Sequence, residues 1–413
     1  MTDRVEPRTL KGFKDYLPEE ERLRLKIIDT CREVFELYGF LPTSTPALEY
    51  LETLTQKYGE DEKLIYNFKD RGDRDVGLRY DLTVPLARLV SQYQNEIKFP
   101  FRRYQIAAVW RAENPQKGRF REFTQADADI VGVESLSADA ECVALYYEIF
   151  KRLGVENFKI RINSRKVFDK LAQELKLGTE QTAGAIRIID KFDKIGQEEA
   201  DRLLEEVLNE EQFKGVKKFL QEDSDFSELD ELKKYLDGLG VPNDVYVFDK
   251  KIVRGLDYYS GMVFEASVSH SDFGSLGGGG RYDSLVEKFS NKQVSAVGMS
   301  VGVDRLLGLM LQQGTKLPIP ATKVLVMNLG SEFVEKSLEI LNQLRTAGIA
   351  SEYFYDQKDL DKQFKYAEAL NIPYAVLIGD EEMKKNGVTV RDLKKREQET
   401  IKLPEAVNIL KKS

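Results

Sequence analysis

Arg102-Arg103-Tyr104-Gln105-Ile106-Ala107-Ala108-Val109-Trp110 runs directly into Arg111-Ala112-Glu113-Asn114-Pro115-Gln116-Lys117-Gly118-Arg119-Phe120-Arg121-Glu122-Phe123-Thr124-Gln125, with Asp127 and Asp129 close behind. The first nine residues read as a buried strand. Asn114-Pro115 starts a turn that Gly118 supports, and the chain then returns. In such a hairpin Arg111 and Glu113 face Arg121 or Phe123. Gln125 and Asp129 extend the polar side of the returning strand, so four or more polar positions line one surface. Planar guanidiniums grip phosphate bidentately, and an aromatic face stacks on a base while arginine covers its other side. A ligand pocket is therefore preferred over a salt-bridged exposed hairpin.

Two further stretches carry unusual chemistry. Arg254-Gly255-Leu256-Asp257-Tyr258-Tyr259 packs a guanidinium, a carboxylate and two phenols into six residues flanked by apolar, strand-like sequence. Burying an unpaired charge costs several kcal/mol, so the segment is either a site or an edge with a structural ion pair. Leu276-Gly277-Gly278-Gly279-Gly280-Arg281-Tyr282-Asp283 is followed by Ala296-Val297-Gly298-Met299-Ser300-Val301-Gly302-Val303-Asp304-Arg305-Leu306-Leu307. The four glycines admit a ligand or make a tight turn, and without a following Lys-Ser or Lys-Thr they are not a P-loop. Arg305 opens an apolar helix among core-like residues, where it faces a ligand anion or makes a structural ion pair.

At 413 residues the chain suggests two or three domains. Hydrophobic residues at 42% and charged residues at 32% describe a soluble globular protein. No run approaches the roughly 18 apolar residues of a membrane span. Met1-Thr2-Asp3-Arg4-Val5-Glu6 lacks a signal-peptide pattern, which makes the cytoplasm the expected compartment. Cys31 and Cys142 suggest neither a disulfide framework nor a zinc cluster. His270 is the only histidine, so a multi-histidine metal site is excluded, and this one reads as a solvated loop residue. Plentiful Arg, Asp and Glu suit reactions run by positioning and charge neutralisation, above all transfers at phosphorus. A net charge of −8 argues against non-specific nucleic-acid binding but allows a local basic surface. Lys384-Lys385 and Lys394-Lys395-Arg396 read as solvated faces.

Periodicity organises the rest. Residues 20–38 read as an amphipathic helix closed by Gly39, and residues 76–131 as strands with turns. A helical insertion occupies about 166–240, after which strand character resumes at 244–248 and continues to Val268. Pro318 and Pro320 mark a linker. Beyond it, strands at 324–327, 349–354 and 374–378 alternate with helices at 332–347 and 360–370, a small α/β domain.

Taken in order, these stretches resemble motif 2, the histidine-specific motifs and motif 3 of the class II histidyl-tRNA synthetases. Lys11-Gly12-Phe13-Lys14-Asp15-Tyr16-Leu17-Pro18 and Gly39-Phe40 to Thr45-Pro46 are similar to the N-terminal and motif 1 regions, and Leu78-Arg79-Tyr80-Asp81-Leu82-Thr83 to the next segment. Asp361-Lys362-Gln363-Phe364-Lys365-Tyr366-Ala367 with Ile372-Pro373-Tyr374 resembles the anticodon-binding domain. The resemblance covers nearly the whole chain. It implies an α+β protein: a class II catalytic domain with an antiparallel sheet over 1–320, the helical insertion within it, and an anticodon-binding α/β domain over 321–413. The implied activity is ATP-dependent ligation of L-histidine to tRNA(His) through histidyl-adenylate, by a homodimer built on the motif 1 region.

The same resemblance implies residue roles. Arg111 and Arg305 clamp the ATP phosphates, Glu113 and Phe123 place the adenine, and Arg119 adds a phosphate contact. Asp81, Thr83, Gln125 and Asp129 bind histidine, with Tyr258 and Tyr259 completing that pocket. Arg254 touches the α-phosphate and the substrate carboxylate, a place other class II enzymes give to a metal ion. Arg254 and Arg111 are thus the catalytic pair, Arg111 also meeting the histidine. Mg²⁺ rides on the β- and γ-phosphates, with no metal held by the protein itself, and Gln116 and Lys117 contact tRNA. Met262 stands where the family often has Thr, and Ala112 and Thr124 replace bulkier or basic motif 2 residues. Two rivals are a histidine-sensing regulatory subunit, expected to lack the anticodon domain and motif arginines, and a class II synthetase for another amino acid.

Overall fold

The central hairpin is present in the computed structural model, which describes residues 4–55, 59–222, 227–253, 258–269, 271–290, 292–315, 322–356 and 359–412. Its strands span Phe101–Trp110 and Glu122–Val131 and pair antiparallel, with Arg103 opposite Asp129 and Ala107 opposite Gln125. Glu122–Val131 pairs in turn with Ala296–Gly302, followed by Ser275–Arg281, Met262–Val268 and Phe158–Ser164, all antiparallel. Short parallel strands close the sheet at both edges, Leu41–Pro42 and Tyr246–Phe248. The result is a mixed α/β fold around a large sheet that is antiparallel except at its rims.

Side chains alternate across such a sheet with period two. Ala126, Ala128, Ile130, Val297, Met299 and Val301 are buried in one apolar core. Leu23, Ile27 and Cys31 of the Pro18–Leu37 helix meet that core, as do Cys142 and Ile149 of Leu136–Leu153 and Leu306 and Leu309 of Val303–Gln312. Full burial of each large aliphatic side chain contributes roughly 1.5–3 kcal/mol. The Pro18–Leu37 helix forms because its apolar residues recur at helical spacing. Pro18 starts it, Glu19, Glu20 and Glu21 sit at its positive end, and Gly39 at φ +78° follows its end. The opposite face of the sheet, bearing Gln125, Asp127, Ser300 and Glu265, is left for the site.

Two local readings change. The four-glycine run is no turn: it forms most of the central Ser275–Arg281 strand. Its neighbours come too close for side chains, since a Cβ on Gly279 would lie 2.2 Å from the Gly298 carbonyl and one on Gly280 would lie 2.8 Å from the Tyr259 ring. Residues Thr83–Gln92 form a helix where strand was expected. Pro85 falls in its first turn, where no intrahelical N–H is lost, and Val84, Ala87 and Val90 recur on its buried side.

Helices fill the span between the Phe158–Ser164 and Tyr246–Phe248 strands, from Lys166–Glu174 to Ser227–Gly238. Phe168, Leu171, Ile189 and Leu204 give that region a core of its own. The chain divides into two compact units, Met1–Leu317 and Pro318–Ser413. In the second, strands run in the order Ser351–Tyr353, Val324–Val326, Tyr374–Leu377, Val388–Asp392, Glu397–Ile401, the first three parallel. The antiparallel final pair was not visible in the sequence pattern.

A Cβ at Gly298 would lie 1.9 Å from Asp129 Oδ1, whereas one at Gly238 meets nothing within 4 Å among the described residues. Gly298→Ala is expected to destabilise the first unit by about 1–3 kcal/mol through overpacking. Gly238→Ala should leave the melting temperature unchanged or slightly raised. Calorimetry of both variants checks this, and equal melting temperatures would contradict the packing.

Candidate active site

A cavity of about 1490 Å³ opens on the polar face of the large sheet. One end is cationic and aromatic. Arg111 lies just beyond the Phe101–Trp110 strand, its Nε donating to the Tyr80 carbonyl at 3.1 Å. Its guanidinium lies 4.3 Å from the Tyr80 ring centroid and 5.2 Å from that of Phe123, so two rings orient it. Arg305 lies in the first turn of the Val303–Gln312 helix, and its Nη1 donates to the Ser275 carbonyl at 2.7 Å. Glu113 and Arg119 also line the cavity and pair at 3.6 Å across the turn. That turn is closed by reciprocal backbone hydrogen bonds between Gln116 and Arg119.

Asp304 fixes this end from behind. Its Oδ2 accepts from the Thr124 backbone N–H at 2.6 Å, and its Oδ1 accepts from Tyr16 Oη at 2.5 Å and Arg24 Nε at 3.2 Å. Burial, and then the Asp304 charge, push the Tyr16 phenol well above its ordinary range, so it stays a donor. The first helix, the strand carrying Phe123 and Gln125, and the base of Arg305 thus share one carboxylate.

The other end is acidic and phenolic. Asp81 is buried, its Oδ1 accepting from the backbone N–H groups of Thr83 and Val84 at 3.1 and 3.0 Å. Its Oδ2 accepts from Tyr258 Oη at 3.2 Å, and the Tyr258 and Tyr259 rings lie 4.8 Å apart. Gln125 donates through Nε2 to Ser300 Oγ at 2.7 Å. Asp127 lines the cavity beside them, and its Oδ1 has no hydrogen-bond partner among the described residues. Asp129 lies behind, ion-paired with Arg103 at 2.8 Å and accepting from Tyr282 Oη at 2.5 Å.

A family model described as histidyl-tRNA synthetase matches residues 12–306, and one described as anticodon binding domain matches residues 323–413. The chain belongs to the histidyl-tRNA synthetase family. It is 39% identical over 438 residues to a histidine–tRNA ligase of Clostridium tetani, covering 99% of each chain. The crystal structure of histidyl-tRNA synthetase from Nostoc sp. PCC 7120 superposes with a TM-score of 0.87 at 33% identity, covering 99% of this chain and 100% of that one. A Bacillus halodurans protein described as an ATP phosphoribosyltransferase regulatory subunit/histidyl-tRNA synthetase matches less well, with a TM-score of 0.69, 25% identity, and coverage of 87% of this chain and 97% of that one.

Within this histidyl-tRNA synthetase fold, Asp81, Thr83, Arg111, Glu113, Arg119 and Phe123 all line this one cavity together, as do Gln125, Tyr258, Tyr259 and Arg305. Asp129 is not among the lining residues, and Asp127, two residues before it on the same face, is. Gln116 is exposed, and Lys117 pairs with Asp272 at 2.5 Å outside the cavity. Arg254, with the Gly255-Leu256-Asp257 stretch beside it, and His270 lie outside the described residues. Sequence reasoning missed the cavity's extension under the insertion, where Arg165, Gln173, Thr182, Arg187 and Lys191 join its lining. No signal short of the tertiary fold marks those positions. Among the described residues, no group of three or more His, Cys, Asp and Glu side chains is placed to hold a metal ion, and no helix is long and apolar enough to cross a membrane.

Burial, then the charge of Asp129, pushes the Asp127 carboxyl up to about 8, against the opposing pull of Arg103 and Ser300. A carboxyl raised in the fold binds its proton more tightly than in the unfolded chain. Its stabilising contribution is therefore full below the ordinary value of 3.8 and lost as pH rises toward about 8. Asp127→Asn should accordingly melt higher than the wild type at pH 8, with the gap shrinking at pH 5. A gap independent of pH would contradict this placement of Asp127.

Proposed function

We propose that the chain activates L-histidine with ATP and transfers it to tRNA(His). The observation that carries this reading is the two-ended cavity: Arg111 and Arg305 at one end, Asp81, Asp127 and the Tyr258–Tyr259 pair at the other. A triphosphate needs the cations, while an amino acid bearing an ammonium group and an imidazole needs the carboxylates and phenols. Family membership over almost the full length, with an anticodon-binding unit at the C-terminus, supports the ligase over the regulatory subunit.

The histidine carboxylate attacks the α-phosphorus of ATP. A carboxylate–phosphorus bond forms as the bond to the β-bridging oxygen breaks, giving histidyl-adenylate and pyrophosphate. A terminal ribose hydroxyl of tRNA then attacks the activated carbonyl, and AMP leaves. Because a carboxylate is already nucleophilic, activation needs no base; alignment and cations meeting the charge at phosphorus supply the gain. Arg111, held between two rings, and Arg305, anchored on Ser275, take the phosphates, with Arg119 beside them. Arg111 also reaches the histidine carboxylate, together with Arg254. Glu113 and Phe123 hold the adenine. Asp81, Thr83, Gln125 and Asp129 hold the histidine, with Tyr258, Tyr259 and Asp127 completing its pocket. The nucleotide would be taken as its Mg²⁺ complex, the ion neutralising phosphate charge without a dedicated protein ligand set.

The surplus cavity under the insertion, with Arg165, Arg187 and Lys191, accommodates the acceptor end of tRNA, alongside Gln116 and Lys117 at the hairpin turn. A homodimer is supported by the exposed Leu48, Tyr50 and Phe68 on the small sheet of strands Leu48–Tyr50, Asn67–Lys69 and Asp75–Leu78. The free, buried thiols of Cys31 and Cys142 suit the reducing cytoplasm.

The test is ATP–pyrophosphate exchange with each amino acid supplied singly. Exchange driven by histidine is expected, and exchange driven only by another amino acid, or none from folded protein, contradicts the reading. Arg305→Ala and Arg254→Ala should each slow exchange by about 100–1000-fold, the effect of removing one preorganised donor to developing charge. Near-normal exchange in either variant removes that residue from its role.

A further inference from the structure

The link between strands Met262–Val268 and Ser275–Arg281 lies, in its described residues, along one face of the Val303–Gln312 helix. Positions three and four apart share a helix face, and Arg305, Gly308 and Gln312 are spaced in that way. Arg305 donates to the Ser275 carbonyl at 2.7 Å, the Phe273 ring fills the space above Gly308, and the Gln312 side chain hydrogen-bonds the Asp272 carboxylate. A Cβ on Gly308 would overlap that ring. Asp272 and Gly274 on either side are exposed, whereas Phe273 is only 6% exposed and joins the apolar core.

The same ring meets the turn of the central hairpin. A Cβ on Gly118 would stand 2.5 Å from it, so the turn sits on the ring with no room for a side chain. Lys117 lies 5.4 Å from the ring centroid and pairs with Asp272 at 2.5 Å. Both partners of that ion pair are more than half exposed, so water and salt weaken it and it holds the turn poorly by itself. The buried ring is the firmer anchor. Two loops distant in sequence are thereby fastened to one helix: the turn that carries Arg119, and the link whose Ser275 carbonyl holds Arg305.

We propose, resting on the histidine-activating reading above, that Phe273 is a positioning residue for the nucleotide. Wedged between Gly118 and Gly308, it seats the hairpin turn against the helix and so fixes the spacing between Arg119 and Arg305. Both arginines line the cavity and Phe273 does not, so the ring acts through them. A transfer at phosphorus depends on cations held in place, and an unseated turn would present Arg119 at varying distances from the phosphates. Histidine is held at the other end, where Asp81 is fixed by the Thr83 and Val84 N–H groups and by Tyr258, none of which belongs to this link.

The test has two arms on the full-length chain. The first needs no substrate: native trypsin digestion, followed at Lys117 and Arg119 in the turn and at Lys151 and Arg152 in the Leu136–Leu153 helix. Phe273→Ala should speed cleavage at the turn about tenfold or more and leave the helix sites unchanged, because local opening is read separately from global unfolding. Unchanged cleavage at the turn, or equal acceleration at both places, overturns the proposal. Asp272→Asn should change turn cleavage less than about twofold, since the exposed pair is weak; an effect as large as that of Phe273→Ala overturns the role of the ring. The second arm measures ATP–pyrophosphate exchange with ATP and histidine titrated separately. Phe273→Ala should raise the ATP KM about tenfold and the histidine KM less than about threefold. Both KM values rising together, or neither rising, overturns the nucleotide role. If Phe273→Ala fails to fold, Phe273→Leu carries both arms: about a threefold rise in turn cleavage and in ATP KM is expected, and no change in either overturns the proposal. A wild type without histidine-dependent exchange removes the functional reading, while the trypsin arm still decides whether Phe273 seats the turn.

Discussion

A β-strand presents opposite faces at successive residues, and in Glu122–Val131 those faces carry opposite chemistry. Ala126, Ala128 and Ile130 fasten the strand to three helices behind the sheet. Gln125, Asp127 and Asp129 occupy the other face, where polar side chains survive only if paired or exposed to a cavity. A slip of one residue would place carboxylates in the aliphatic core and alanines in the site. Every other feature of the catalytic unit depends on that register. The glycines of Ser275–Arg281 let neighbouring strands approach, Tyr282 reaches Asp129, and Ser300 meets Gln125 because the strands pair as they do.

The polar face works through fixed charge. Arg111 is held by rings and a carbonyl, Arg305 by a carbonyl, Asp81 by two backbone N–H groups and a phenol. Groups tethered in this way need little reorganisation when charge develops on a substrate, which is where preorganised electrostatics is most effective. Asp304 adds coupling, since the N-terminal helix, the strand bearing Phe123 and Gln125, and the helix bearing Arg305 converge on its two oxygens. The absence of a second histidine in the chain is no handicap to an acyl-phosphate reaction of this kind.

How far the sequence could be read follows from where each signal resides. The hairpin from Arg102 to Gln125 was legible because alternation and turn chemistry are local. The resemblance then brought in Arg305, Tyr258 and Asp81 as a set, and all three line one cavity. The glycine strand was not legible, because glycine carries no pattern of its own and the need for it arises from Gly298 and Tyr259, distant in sequence. Pro85 read as punctuation, although a helix accepts proline in its first turn. Asp127 was visible between Gln125 and Asp129, but only the packing distinguishes the carboxyl that faces the cavity from the one paired with Arg103. Arg103 looked like one more residue of a buried strand, and its meaning lies in its partner across the sheet.

On the reading proposed above, one polar sheet face holds both the amino acid and the nucleotide. A crystal structure of the full chain with a non-hydrolysable histidyl-adenylate analogue tests it most directly. The imidazole is expected at the acidic end, within hydrogen-bond distance of a carboxyl of the Asp127–Asp129 strand and beside Tyr258 and Tyr259, with the phosphate-like group between Arg111 and Arg305. An analogue seated away from that face, or with its imidazole at the arginine end, would contradict it.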